Sequence, residues 1–201
     1  MEMVRPSANR VIGSGTSLDT SRFRRRLAGH YGVAAANVHA YVIGEHGDSQ
    51  IPLLSSARVA GFSPREFCKQ LGSPCDEEAL ARITNETRTA GRDIINAKGA
   101  TYYGIGAALT RIIRAILRDE DAILTVSSLV PESMQLGEVC LSLPSIVNRC
   151  GISRVLSVAL NSSERKALEA SAEVVKRNIA ILCEAAGRYR VVSADGKRGE
   201  G

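Results

Sequence analysis

The chain has 201 residues, enough for one substantial core, with 44% hydrophobic residues and a formal net charge of +5. No apolar run approaches the roughly 18 residues that a membrane span requires, and the opening MEMVRPSANR lacks the apolar centre of a secretory signal. The positive charge is densest at Arg22, Arg24, Arg25 and Arg26, but aromatics make up only 4% of the chain and none interleaves those arginines, so a small anion is a better partner for them than nucleic acid. Cys68, Cys75, Cys140, Cys150 and Cys183 show no C-x-x-C spacing and are odd in number. They are expected to be scattered reduced thiols of a cytoplasmic protein rather than a disulfide framework or a metal site.

In chain order, residues 1–10 read as a linker remnant, 11–186 as one domain, and 187–201, polar and glycine-bearing, as a disordered tail. Leu18 to Ala28 predicts a helix, with Thr16 or Ser17 as its cap and Gly29 as its stop. On that helix Asp19, Arg22, Phe23 and Arg26 share a face, because three- and four-residue steps stack. Arg24 lies two residues from Arg22, about 200° around the helix, and points elsewhere, so one short helix can serve two sites. Taken alone, Asp19 and Arg22 would be no more than a surface ion pair.

Alternation along Val38, Ala40 and Val42 predicts strands over Val38–Leu54 and Ala57–Gly61, with a turn at His46 between Gly44 and Gly47. The two glycines permit tight turning and leave room beside the imidazole. Asp76 to Arg118 reads as helical, with an apolar stripe of Ile105, Leu109, Ile112, Ile113, Ile116 and Leu117, and a break near Gly99 and Gly104. Strands are expected at Ala122–Val130, Glu138–Val147 and Val155–Leu160. Asn161 then caps a last helix, with Glu164 at capping-box spacing and Leu168, Val175, Ile179 and Leu182 as its buried face. Strands that come in groups favour an α+β fold with a mainly antiparallel sheet.

The residues Gly44-Glu45-His46-Gly47-Asp48-Ser49, the stretch Val11–Thr16 leading into Asp19-x-x-Arg22, and Lys98–Ile105 occur in an order that resembles the L-lactate dehydrogenases. The resemblance runs over roughly residues 10–185 and begins where the second half of that family begins. It implies a C-terminal substrate domain of an enzyme that interconverts pyruvate and L-lactate with NADH and NAD. By this resemblance His46 would be the proton donor, Asp19 its carboxylate partner, Arg22 the clamp on the substrate carboxylate, and Thr101 a wall of the pocket. Ser14 and Ile105 would lie against the nicotinamide. Arg24 and His39 match the effector pair of bacterial enzymes activated by fructose 1,6-bisphosphate, which implies a homo-oligomer, a tetramer in that family. Gly13-x-Gly15 and Gly104-x-Gly106 each lack the third glycine and the preceding strand of a dinucleotide fingerprint. The family's NAD-binding domain, with its mobile-loop arginine, is thus expected to be missing and the chain alone inactive. A malate dehydrogenase-like enzyme, or a non-catalytic anion-binding module, are the alternatives.

Overall fold

The computed structural model describes residues 6–99 and 101–186. The expected tail and the first five residues of the expected linker lie outside them. The architecture is α+β, as the grouping of strands implies.

Helix α1, Ser17–Tyr31, is the central element. It runs past Gly29 and ends at Gly32, whose φ of 66° is left-handed. The expected stop at Gly29 fails for a tertiary reason. Phe23, Leu27 and Tyr31 follow one another at four-residue steps and all are buried, so one further turn adds an aromatic ring to the core. That core also holds Val38, Val42, Val59, Leu80 and Ile83.

The strands expected over 38–54 and 57–61 are four two-residue segments: β1 (Val38–His39), β2 (Val42–Ile43), β3 (Ile51–Pro52) and β4 (Arg58–Val59). β1 pairs with β4 and β2 with β3, both antiparallel. Between β1 and β2 the chain changes partner from β4 to β3, and the Ala40 carbonyl at that change accepts from the Arg24 side chain at 2.9 Å. A short helix α2, Pro64–Gln70, was not expected; Ser63 and Glu66 form its capping box, with proline in the first turn.

The long helical region divides at Gly99 (φ 78°) into α3, Glu77–Lys98, and α4, Tyr102–Arg118; Gly104 is no break and lies inside α4. A three-stranded antiparallel sheet follows, ordered β5 (Ala122–Leu129), β6 (Cys140–Asn148) and β7 (Gly151–Val155). The third strand thus ends where it was expected to begin, because a tight turn at Arg149–Cys150 returns the chain at once. Asn9 donates to the Cys150 carbonyl at 3.1 Å, so residues 8–10 dock on this turn. Helix α5, Ser162–Ala186, opens with the capping box of Asn161 and Glu164.

The two expected apolar stripes are only half covered. Ile112 and Ala115 of α4 are buried against Val126 and Val147, and Leu168 and Ala172 of α5 against Leu141 and Leu143. Leu109, Ile113 and Leu117 of α4, and Ile179 and Leu182 of α5, face outward.

Candidate active site

The first turns of α1 fix the strand that leads to His46. Thr16 and Thr20, one turn apart, are both buried; Thr16 donates to the Val42 carbonyl and the Thr20 hydroxyl accepts the Val42 N–H at 2.9 Å. Thr20 also meets the Thr125 hydroxyl of β5 at 2.8 Å. With β2 locked to one side of α1, the adjacent side presents Asp19 to the loop that follows β2.

Asp19 is fully buried and its two oxygens divide their work. Oδ1 accepts from Arg22 Nη1 at 3.0 Å, whereas Oδ2 lies 2.9 Å from His46 Nδ1 at ion-pair distance and accepts no aligned hydrogen bond among the described residues. A buried carboxylate needs such compensation, and two cationic groups supply it. The close approach of the Asp19 carboxylate lifts the His46 pKa above the ordinary imidazole value, against the opposing effects of partial burial and of Arg22. The imidazolium is therefore favoured on a side chain that is still 55% exposed.

His46 and Asp19 line a cavity of 340 Å³ with Gly47, Gln50, Arg88, Gly91, Arg92 and Ile95. The last four, at steps of three, four and seven from Arg88, are one face of α3 and were not singled out from the sequence, although the spacing is there to be read. Arg92 pairs with Asp48 at 3.3 Å, and Arg88 donates to the Gln50 carbonyl at the same distance. The Arg22 guanidinium sits where α3 and α4 both pass close by. A Cβ at Gly91 would lie 4.0 Å from Nη1, and one at Gly104 would lie 3.9 Å from Nη2.

The structure thus unites His46, Asp19 and Arg22. Thr101 caps α4 and its hydroxyl makes no cap hydrogen bond; Ile105 is one turn further on, and both are partly buried. Ser14 is in the loop before α1, its carbonyl accepting from Ser17 at 3.3 Å. These three do not line the cavity, and neither does Arg22, which reaches it only through its ion pair with Asp19.

On the other side of α1, Arg24 donates to the Ala40 carbonyl and its guanidinium stacks over Tyr41 at 5.2 Å. Burial lowers its affinity for a proton. His39, adjacent to Ala40, is exposed and stands opposite Arg58 across the β1–β4 pair. The two expected sites of α1 therefore point in different directions.

Comparison with known proteins gives a consistent answer. Residues 16–185 match the alpha/beta C-terminal domain of the lactate/malate dehydrogenases. An L-lactate dehydrogenase of Thermus aquaticus is 50% identical over 167 residues, which is 83% of this chain and 54% of that protein. One of Clostridium perfringens is 46% identical over 171 residues, covering 85% and 54%. The solved L-lactate dehydrogenase of Clostridium thermocellum superposes with a TM-score of 0.77 at 41% identity, over 88% of this chain and 57% of that one. The malate dehydrogenase of Cryptosporidium parvum has a TM-score of 0.82 at 27% identity, over 88% and 56%. The chain spans about half the length of the relatives it matches.

Proposed function

The chain belongs to the lactate/malate dehydrogenase family, and on that premise we propose that it is the substrate-binding half of an NAD-dependent L-lactate dehydrogenase. The observation that carries this reading is the buried Asp19 carboxylate, shared between a guanidinium and an imidazole. Arg22 uses Nη1 on Asp19, which leaves Nε and Nη2 free of hydrogen bonds among the described residues and suited to a bidentate grip on a 2-oxo carboxylate. A substrate held there would have its ketone oxygen within reach of His46, the proton donor, and the Asp19 charge keeps that proton available near neutral pH. Thr101, whose hydroxyl makes no cap hydrogen bond to α4, would bound the pocket.

The described residues do not fit the phosphates of NAD. Gly15 is a glycine because a Cβ there would lie 2.7 Å from both Ser127 N and Ser142 Oγ; it serves sheet packing, not a phosphate cradle. In the protein joined to a nucleotide-binding domain, NADH would be the hydride source, and Ser14 and Ile105 are our candidates for residues that would border its nicotinamide. Lactate is favoured over malate by the higher identity to the lactate enzymes. The 201-residue chain should show negligible NADH-dependent pyruvate reduction, and joining it to a nucleotide-binding domain from a relative should restore it. Robust turnover by the chain alone would overturn this assignment of a half-enzyme.

Arg24 and His39 support an effector site for fructose 1,6-bisphosphate, since phosphates seek guanidinium and imidazolium groups. Arg58, opposite His39 in the β1–β4 pair, adds a second guanidinium on this side of the domain. Such a site gathers charge from two subunits, and the uncovered faces of α4 and α5 are consistent with a homo-oligomer, a tetramer by analogy. In the joined protein, Arg24→Ala should spare basal turnover and abolish activation by the sugar bisphosphate. The lost bond to Ala40 should cost about 1 kcal/mol of stability. Rates measured with and without the effector check this, and undiminished activation would remove Arg24 from the site. No helix among the described residues is long and apolar enough to cross a membrane. By analogy with the lactate dehydrogenases it resembles, we place the protein in the cytoplasm.

A further inference from the structure

Glu45, Ser49 and the two glycines of the histidine loop have so far no part in the chemistry. Helix α5 gives them one. The Glu45 N–H donates to Ser171 Oγ at 2.8 Å, the Ser171 and Ser49 hydroxyls meet at 3.0 Å, and the Ser49 hydroxyl donates to the Glu45 carboxylate. Each hydroxyl has a single proton. Ser49 spends its own on Glu45, so Ser171 must donate to Ser49 while accepting from the backbone. The result is a closed ring of hydrogen bonds running one way, from the Glu45 amide through two serines to the Glu45 carboxylate. Bonds chained in this sense polarise one another, and Ser171 is fully buried, where such bonds are strongest.

The glycines fit this ring. At Gly44, φ is +92° and a Cβ would lie 2.8 Å from Ser171 Oγ, so only glycine lets the loop approach α5. At Gly47 a Cβ would lie 2.2 Å from Glu45 Oε1, so its absence makes room for the carboxylate folded under the loop. Gly44 is also tied to Ser142 of β6 by two backbone hydrogen bonds of 2.9 Å. His46 is thus held from two directions: its ring by Asp19 of α1, its backbone by α5 and β6.

We propose that Ser171 is a positioning residue for His46, acting through the Glu45–Ser49 ring that sets where the imidazole meets Asp19. This rests on the reading of His46 as the proton donor, but its test needs no turnover and so fails or succeeds separately. The chain has three histidines, so His30, His39 and His46 can be followed together by NMR titration of the 201-residue protein. His46 faces Asp19 and Arg22 from α1, Glu45 and Asp48 from its own loop, and Arg88 and Arg92 from α3 across the cavity; Ser171→Ala changes none of these charges.

In Ser171→Ala the His46 midpoint should fall toward the ~6.5 of a free imidazole, as the loop slackens and the Asp19 contact lengthens, while His30 and His39 titrate as before. A folded Ser171→Ala protein in which His46 titrates as in the parent would overturn the proposal, even if its unfolding temperature had dropped, because a purely structural serine would give that result. If Ser171→Ala does not fold, Ser49→Ala decides. It breaks the ring at its partly buried side, and should move the His46 midpoint in the same direction; an unmoved midpoint there would equally overturn it.

Discussion

Arg22→Lys is expected to cost at least about a hundredfold in kcat/KM for pyruvate, although the charge is kept. Arg22 is proposed to do two things at once: Nη1 neutralises Asp19 at 3.0 Å, and Nε and Nη2, which make no hydrogen bonds among the described residues, would hold the substrate carboxylate. A lysine ammonium is one point charge on a flexible stem and can serve one of these partners, not both. With Asp19 buried and uncompensated otherwise on Oδ1, the ammonium would stay with Asp19. Losing a hydrogen bond to a charged group costs about 1.5–3 kcal/mol, roughly 10- to 150-fold at 1.4 kcal/mol per decade. A substrate held by one bond also turns away from His46, and misplacement by about 1 Å costs on the order of a further hundredfold. The measurement is kcat and KM separately, in the chain joined to a nucleotide-binding domain. A variant as active as the parent would mean that Arg22 is only a counterion for Asp19, and the two-site reading of α1 would have to be abandoned.

The parts of this site that were legible in the sequence are those in which chemistry and geometry lie close along the chain. Asp19 and Arg22 are three residues apart on a helix, and the glycines flank His46, so local rules placed both. Thr16 was read as a cap only, and its bond to Val42, 26 residues away, has no local sign. Ser171 is further still, 126 residues from Glu45, in a helix where it reads as a small residue in an apolar stripe. Arg88 and Arg92 were visible as a helix face, but which way that face turns is set by the packing of α3 on α1 and not by the residues themselves. The same holds for the stripes of α4 and α5: periodicity identified them, yet it cannot say that the sheet covers Ile112 and leaves Leu117 bare. The overrun at Gly29 and the unexpected helix α2 have different causes. Gly29 was overridden by the burial of Tyr31, whereas α2 had an unread capping box of the kind recognised at Asn161.

An effect of comparable size should come from Asp19→Asn, with a loss in turnover of about 10²–10⁴, the range a general acid contributes. The asparagine carbonyl can still accept from Arg22, so substrate binding should change little. Its amide would face His46 Nδ1 as a donor, and a donor there favours the neutral ring. The raised pKa of His46 is due first to Asp19, so the variant's imidazole should titrate lower. In the parent, pyruvate reduction requires the imidazolium and should fall as pH rises through the raised His46 pKa. In the variant the same fall should begin at lower pH, leaving little of the acid form near neutrality. Stability gives an independent reading with a fixed sign. A histidine whose folded pKa exceeds its unfolded value of ~6.5 stabilises the fold fully below that value, and this contribution is lost as pH rises through the folded pKa. The parent should therefore lose stability over that window, and Asp19→Asn should not. Unfolding measured on the 201-residue chain and a pH–rate series on the joined protein should report the same midpoint. If the two proteins showed the same pH dependence in both, another group would be holding the proton on His46, and Asp19 would be reduced to a buried anchor for Arg22.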